Sequence, residues 1–177
     1  LDKAGYALAP EPEGADCAIV NTCGFIDAAK PEAIDVILQM AQLKAEGKLQ
    51  KIIVTGCLTE RYKGQVMDEL PEVDAILGVG CFGEIVSAVE GVFAGGKPAL
   101  FCDSSAPVEE TPRIVSTGPG WAYLRIAEGC NNFCAFCAIP YIRGRFVSRP
   151  FDEILSEAEM LKKSGVKELS LVSQDTT

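Results

Sequence analysis

The chain has 177 residues, with 25 acidic against 16 basic side chains, eight cysteines and no histidine. A mean hydropathy of +0.18 with 23% charged residues describes a globular chain of one or at most two domains, not a disordered one. The lack of histidine excludes Ser-His-Asp and Cys-His nucleophile systems, HExxH zinc sites and imidazole acid/base chemistry, so any metal must sit on thiolates or carboxylates. No run of eighteen apolar residues and no basic-then-apolar leader occurs, which argues against a membrane span or a secretory signal. Eight cysteines without an export signal point to a reducing, cytoplasmic setting. They are expected to ligate metal or lie buried rather than to form a disulfide framework.

Charge divides the chain. Residues 1–103 carry 8 basic and 16 acidic side chains, whereas residues 104–177 carry 8 and 9. The acidic first part is unsuited to gripping a nucleic-acid backbone by itself, because phosphate binding relies on Lys and Arg.

Along residues 1–103, the end of a helix at Leu1 to Tyr6 precedes short apolar runs alternating with amphipathic ones. Cys17 to Val20, Ile52 to Val54 and Ala75 to Leu77 read as buried strands, and Pro98 to Phe101 as a weaker fourth. Pro31 to Glu46 reads as a helix with Ile34, Ile37, Leu38 and Ala41 on its inner face and Gly47 beyond its end. Arg61 to Leu70, weakened by Gly64, and Gly83 to Phe93 read as two more. Strands alternating with helices predict a doubly wound α/β domain around a parallel sheet.

Residues 104–121 read as a linker, since Ser104 to Gly120 holds three prolines and two glycines and no apolar period. Residues 122–177 begin with a strand at Tyr123 to Ala127 and a cysteine-rich loop. A helix at Phe151 to Ser164 follows, with Ile154, Leu155, Ala158 and Leu161 inward. Asp152 and Glu153 at its start and Lys162 and Lys163 at its end suit the helix dipole. Val166 to Val172 is the next strand. Two strands and one helix cannot cover a parallel sheet, so the chain is expected to be a fragment at both ends.

The strongest chemical signal is Cys130-Asn-Asn-Phe-Cys134-Ala-Phe-Cys137, three thiols within eight residues directly after a strand. Three thiolates can hold one iron–sulfur cubane and leave its fourth iron open to a substrate or cofactor. A structural zinc would need a fourth ligand in paired spacing, and a ferredoxin a fourth cysteine in a different run. A zinc-stabilised module and a non-enzymatic electron carrier are therefore the rival readings. A second constellation is Asn21-Thr-Cys23-Gly24 with Thr55-Gly-Cys57-Leu58. Each cysteine follows the carboxyl end of a predicted parallel strand, the edge where open α/β sheets place their ligands. Taken alone, the pair reads better as two buried thiols.

The C-x3-C-x2-C loop, with aromatic Phe136 before the last cysteine, resembles the signature of radical S-adenosylmethionine enzymes. That resemblance implies that the amino and carboxylate groups of S-adenosylmethionine chelate the open iron, with Phe136 near its adenine. Reductive cleavage then gives a 5′-deoxyadenosyl radical, the cofactor carrying the chemistry and the protein positioning it. Together the two constellations resemble the methylthiotransferase family, so residues 122–177 would be the first part of a radical-type (β/α) partial barrel. The resemblance implies two [4Fe-4S] clusters, one on Cys130, Cys134 and Cys137 and a second held in part by Cys23 and Cys57. The second cluster's third ligand, and a terminal TRAM domain, are missing from the chain. An external electron donor is implied, and the piece alone is expected to be inactive.

Within that family some enzymes modify adenosines of transfer RNA and one branch modifies the β-carbon of an aspartate in a small-subunit ribosomal protein. Asn21 to Ile26 and Ser173-Gln-Asp-Thr-Thr177 are similar to the ribosomal-protein branch; a transfer-RNA enzyme is the alternative. Cys17, Cys81 and Cys102 match no family ligand and are expected to be buried structural thiols. Arg143, Arg145 and Arg149 could pair with a cofactor carboxylate or an acidic substrate, or else form a solvated loop or salt bridges to Glu128 and Asp152. Glu128-Gly129 is expected to set backbone geometry, and Gly78, Gly80, Gly95 and Gly96 to serve turns.

Overall fold

The computed structural model describes residues 1–103, 113–118 and 120–176. These form two compact units, Leu1–Ser104 and Ser105–Thr177. Most of the predicted linker lies outside the described residues.

The first unit is an α/β layer. Strands β1 (Cys17–Thr22), β2 (Lys51–Gly56), β3 (Ala75–Leu77) and β4 (Ala99–Leu100) form one parallel sheet in sequence order. Register runs Thr22 to Gly56 and Thr55 to Leu77 across the first three strands, so their carboxyl ends align. Helices α1 (Ala29–Ala45), α2 (Cys57–Tyr62), α3 (Gly64–Glu69) and α4 (Ile85–Phe93) cover both faces. The period of two in β2 sorts the core: Ile52 and Val54 pack with Ala33, Ile37, Leu58 and Val66 on one face, while Ile53 packs with Ala88, Val89 and Val92 on the other. A strand covered on both faces must be apolar at every position, which is why Ile52-Ile-Val54 shows no alternation.

The amphipathic reading of α1 is half right. Ile37 is buried, but Ile34 and Leu38 are exposed, and Ala33 and Met40 face the sheet instead. A helix resting on a flat sheet needs small residues at its closest approach, and Ala33 fits there where a larger side chain would hold the layers apart. The single helix expected over Arg61 to Leu70 is two short ones, broken at Lys63, whose φ of 45° is left-handed. At the sheet's amino end Asp74 is buried among cations. It accepts from Lys44 Nζ at 2.5 Å, Lys51 Nζ at 3.2 Å and the Ile52 backbone N–H at 2.9 Å.

The cysteines outside the predicted ligand set behave differently from expectation. Cys81, in a 3-10 turn after β3, and Cys102, just past β4, form a disulfide with Cα atoms 5.2 Å apart. Cys81 is buried but Cys102 is exposed, so neither is a buried free thiol. Because β3 and β4 are adjacent and parallel, residues shortly beyond their carboxyl ends come within disulfide reach. Cys17 remains a thiol, and burial pushes it up to about 11, the Asp74 carboxylate acting in the same direction. It stays protonated and suits packing better than ligation.

The second unit pairs β5 (Trp121–Arg125) with β8 (Glu168–Val172) in parallel, joined through helix α6 (Phe151–Lys163). Between them β6 (Ala127–Glu128) and β7 (Val147–Ser148) form a short antiparallel ladder, and the segment they bracket contains helix α5 (Ile139–Arg143). In α6 Leu161 is buried, but Leu155 is exposed and Glu157 takes an inward position. Glu157 is buried because two guanidinium groups meet it, Arg149 at 2.7 Å and Arg113 at 2.8 Å. Arg149 thus pairs with Glu157, a partner the sequence did not suggest.

Candidate metal centres at two sheet edges

In the first unit the sheet carries two cysteines to one place. Cys23 directly follows β1, and Cys57 opens α2 directly after β2. Gly24 shows how closely the two segments pack: a Cβ built there would stand 2.7 Å from Leu58 Cα and 3.0 Å from the Cys57 carbonyl carbon. The Asn21 to Gly24 turn therefore rests on the backbone of the Cys57 turn, and any side chain at 24 would drive them apart. Gly56, with φ 107°, makes a second such approach, its built Cβ lying 2.3 Å from Thr22 O. Thr22 Oγ1 donates to Thr55 O at 2.6 Å, and Arg61 donates from α2 to Gly24 O at 2.9 Å. Cys57 is buried and Cys23 exposed, so the sheet edge presents one sheltered thiol and one open to solvent.

The cysteine loop of the second unit is fixed at its base. Cys130 donates its backbone N–H to Gly144 O at 3.3 Å, and Phe146 donates its backbone N–H to Asn131 Oδ1 at 3.2 Å. Gly129 is required: its φ is 74°, and a Cβ there would meet Arg145 O at 2.2 Å. Glu128, buried, binds Arg125 at 2.9 Å and Arg143 at 3.3 Å, tying the strand before the loop to the helix within it. Two of the three clustered arginines therefore serve internal ion pairs. Arg145 lies over the Phe133 ring at 5.8 Å.

Within this loop Cys130 is buried, Cys137 half-buried and Cys134 exposed. Cys137 donates its N–H to Cys134 O at 2.9 Å, a tight turn bringing the last two ligand candidates together along the chain. Phe136, between them, is 94% exposed, so its ring is open to solvent among the described residues. Among the described residues no three thiol or carboxylate groups stand close enough to hold a metal ion. The donor set nevertheless suits an iron–sulfur cubane in kind. It offers three thiols on one eight-residue loop, with no carboxylate or imidazole among them.

Spacing alone did not reveal what stands behind Cys130. Asn132 donates to Cys130 Sγ from both its backbone N–H and its side-chain amide, each at 3.5 Å. Asp175, just beyond β8, accepts from that amide at 2.8 Å and from the Cys130 thiol at 3.7 Å. Gln174 accepts the Gly129 N–H at 2.9 Å. The Ser173 to Asp175 segment, singled out in the sequence for its likeness to one branch, thus lies against the base of the loop.

Comparison with known proteins agrees with both halves of this description. Residues 1–78 match the model of "Uncharacterized protein family UPF0004", and residues 124–177 that of the "Radical SAM superfamily". The ribosomal protein uS12 methylthiotransferase RimO of Pelotomaculum thermopropionicum is 46% identical over 179 residues, covering all of this chain and 40% of the relative. RimO of Caldicellulosiruptor saccharolyticus is likewise 46% identical, over 99% of this chain and 40% of its own length. The chain thus spans about 40% of the curated relatives it matches. Among solved structures, the radical S-adenosylmethionine methyltransferase TsrM of Kitasatospora setae aligns with a TM-score of 0.60 over 90% of this chain and 36% of its own. At 10% identity that likeness concerns the fold alone. With both family models matched in order and RimO relatives 46% identical over the length of the chain, the chain belongs to the radical S-adenosylmethionine methylthiotransferase family.

Proposed function

We propose that the chain is part of a cytoplasmic enzyme that places a methylthio group on the β-carbon of an aspartate in ribosomal protein uS12. The observation that carries this reading is the Cys130 to Cys137 loop, fixed at its base and presenting Cys134 and Phe136 to solvent. The names of the relatives at 46% identity support uS12 as the substrate.

Cys130, Cys134 and Cys137 would hold one [4Fe-4S] cluster, and Cys23 and Cys57 would contribute to a second whose remaining ligand comes from outside this chain. When bound, the clusters and S-adenosylmethionine supply a carbon radical, generated with an electron from an external donor, together with the sulfur and the methyl group. This chain's residues position and shelter those groups. Gly129 lets the loop backbone pass against Arg145, and the Glu128 ion pairs hold α5 against the strand that leads into the loop. Phe136 offers an unencumbered aromatic face for adenine, and Gly24 brings the Cys23 and Cys57 turns into contact.

The test is anaerobic reconstitution of the full-length protein with iron and sulfide, followed by EPR of the reduced form with and without S-adenosylmethionine. The expected result is a cubane signal that shifts on adding S-adenosylmethionine and is lost in Cys134→Ala, with mass spectrometry showing a methylthio group on uS12. A cubane indifferent to S-adenosylmethionine would leave an electron carrier, and modification of transfer RNA in place of uS12 would reassign the substrate.

A further inference from the structure

A cluster held through Cys130 meets two groups of opposite effect that belong to distant parts of the sequence. Asn132 directs two N–H groups at Cys130 Sγ, both at 3.5 Å, and the Cys130 thiol donates to Asp175 Oδ2 at 3.7 Å, a contact that becomes one between two negative groups when ligation removes the thiol proton. The two are joined to each other by the 2.8 Å bond from the Asn132 amide to Asp175 Oδ2. Asp175 is itself held by a local turn: its backbone N–H donates to Ser173 Oγ at 3.0 Å, and the Ser173 hydroxyl donates back to the Asp175 carbonyl. Gln174, by accepting the Gly129 N–H, fixes this turn against the residue next to Cys130.

Hydrogen bonds to a ligand sulfur stabilise the more negative, reduced cluster and raise its reduction potential; a fixed negative charge nearby does the reverse. We propose that Asn132 and Asp175 are a positioning pair that sets the reduction potential of the cluster on Cys130. Asn132 makes reduction easier, and Asp175 opposes it while fixing the Asn132 amide in place. The inference rests on the proposed cluster at Cys130, Cys134 and Cys137, and adds that the end of β8 tunes it. It gives the Ser173 to Asp175 segment a physical task besides its place in the chain.

Opposite signs make the idea testable. Asn132→Ala keeps the backbone N–H but removes the side-chain donor and leaves the carboxylate facing the sulfur without its amide partner. Asp175→Asn keeps the shape and an acceptor for Asn132 but removes the charge. The measurement is redox titration of the full-length protein in a Cys23→Ala/Cys57→Ala background, so that one cluster is read, with the reduced cubane followed by EPR at fixed potentials. Asn132→Ala is expected to lower the ratio of reduced to oxidised cluster at a given potential by on the order of threefold to tenfold, and Asp175→Asn to raise it by a similar factor. A residue needed only for folding would lower iron content without moving the potential of the cluster that remains. If Asn132→Ala fails to hold iron, the isosteric Asp175→Asn carries the test alone. Unchanged potentials, or shifts of both variants in one direction, would overturn the pair while leaving the enzyme reading intact. Absence of any cubane in the parent would overturn that reading and this inference with it.

Discussion

The two cysteine sites reach similar chemistry by opposite routes. In the second unit three thiols lie on one continuous loop, and the structure's task is to hold its ends, through Gly129, Gly144 and the Glu128 ion pairs. In the first unit Cys23 and Cys57 come from different strands, and only parallel pairing in register, followed by the Gly24 contact, makes them neighbours. A local site is written in spacing, whereas a site assembled across a sheet is written in topology.

The largest effect expected from this difference is a clean separation of the clusters. In the reconstituted full-length protein, Cys134→Ala should abolish the signal that responds to S-adenosylmethionine and leave about half of the iron, since two cubanes of equal size are proposed. Cys23→Ala should lose a similar amount of iron and keep that response. Iron counting beside EPR checks both, and loss of both signals in either variant would mean the sites are not independent.

The glycines separate the two routes at the level of the backbone. Gly129→Ala must accommodate both a left-handed φ of 74° and a carbonyl oxygen 2.2 Å from the new carbon, so about 3 kcal/mol of destabilisation is expected. Gly24→Ala meets only the steric term, at 2.7 Å from Leu58 Cα, and should cost about 2 kcal/mol, lowering the urea midpoint of the first unit. The two differ in what they disturb: Gly24→Ala is expected to weaken iron binding by Cys23 and Cys57, which no longer abut, and to spare the other cluster.

Much of this was readable beforehand. The four strands of the first unit appear where apolar runs place them, because a sheet covered on both faces leaves no choice but apolar residues. What could not be read was anything set by three-dimensional neighbours. Glu157 looks like a solvent-facing helix residue until Arg149 and Arg113 are found beside it. Cys81 and Cys102 look like packing thiols until β3 and β4 are seen to be adjacent. The contacts of Asp175 with Asn132 and Cys130 span 43 and 45 residues, with no periodic signal to link them.

Away from both cysteine sites, the amino end of the first sheet supplies a pH-dependent contrast. Burial works against the Asp74 carboxylate, but the bonds from Lys44, the Ile52 N–H and Lys51 outweigh it and hold its pKa below the ordinary 3.8. A lowered folded value means that this stabilisation is complete above the unfolded pKa and is lost as pH falls through the folded one. The first unit should therefore lose stability below about pH 3.8, and Asp74→Asn should remove part of that dependence at a cost of about 2 kcal/mol at neutral pH. Urea midpoints at pH 7 and pH 3 for both proteins measure it; parallel curves would exclude Asp74 as a source of the acid sensitivity.

The smallest expected effects lie where helical periodicity and packing disagree. Leu38 in α1 and Leu155 in α6 share the apolar period with Ile37 and Leu161, yet Leu38 is 47% and Leu155 48% exposed against 1% for each of the other two. Burial is decided by which arc of the helix the sheet touches, and an apolar stripe wider than that arc leaves residues at its margin in water. Ile37→Ala and Leu161→Ala should each cost about 3 kcal/mol, because they remove fully packed side chains and leave cavities. Leu38→Ala and Leu155→Ala should stay within about 0.5 kcal/mol, having little packing to lose. A large cost at either exposed leucine in the full-length protein, measured by urea denaturation, would reveal that a segment outside this chain covers that face, because neither leucine has enough buried surface here to account for it.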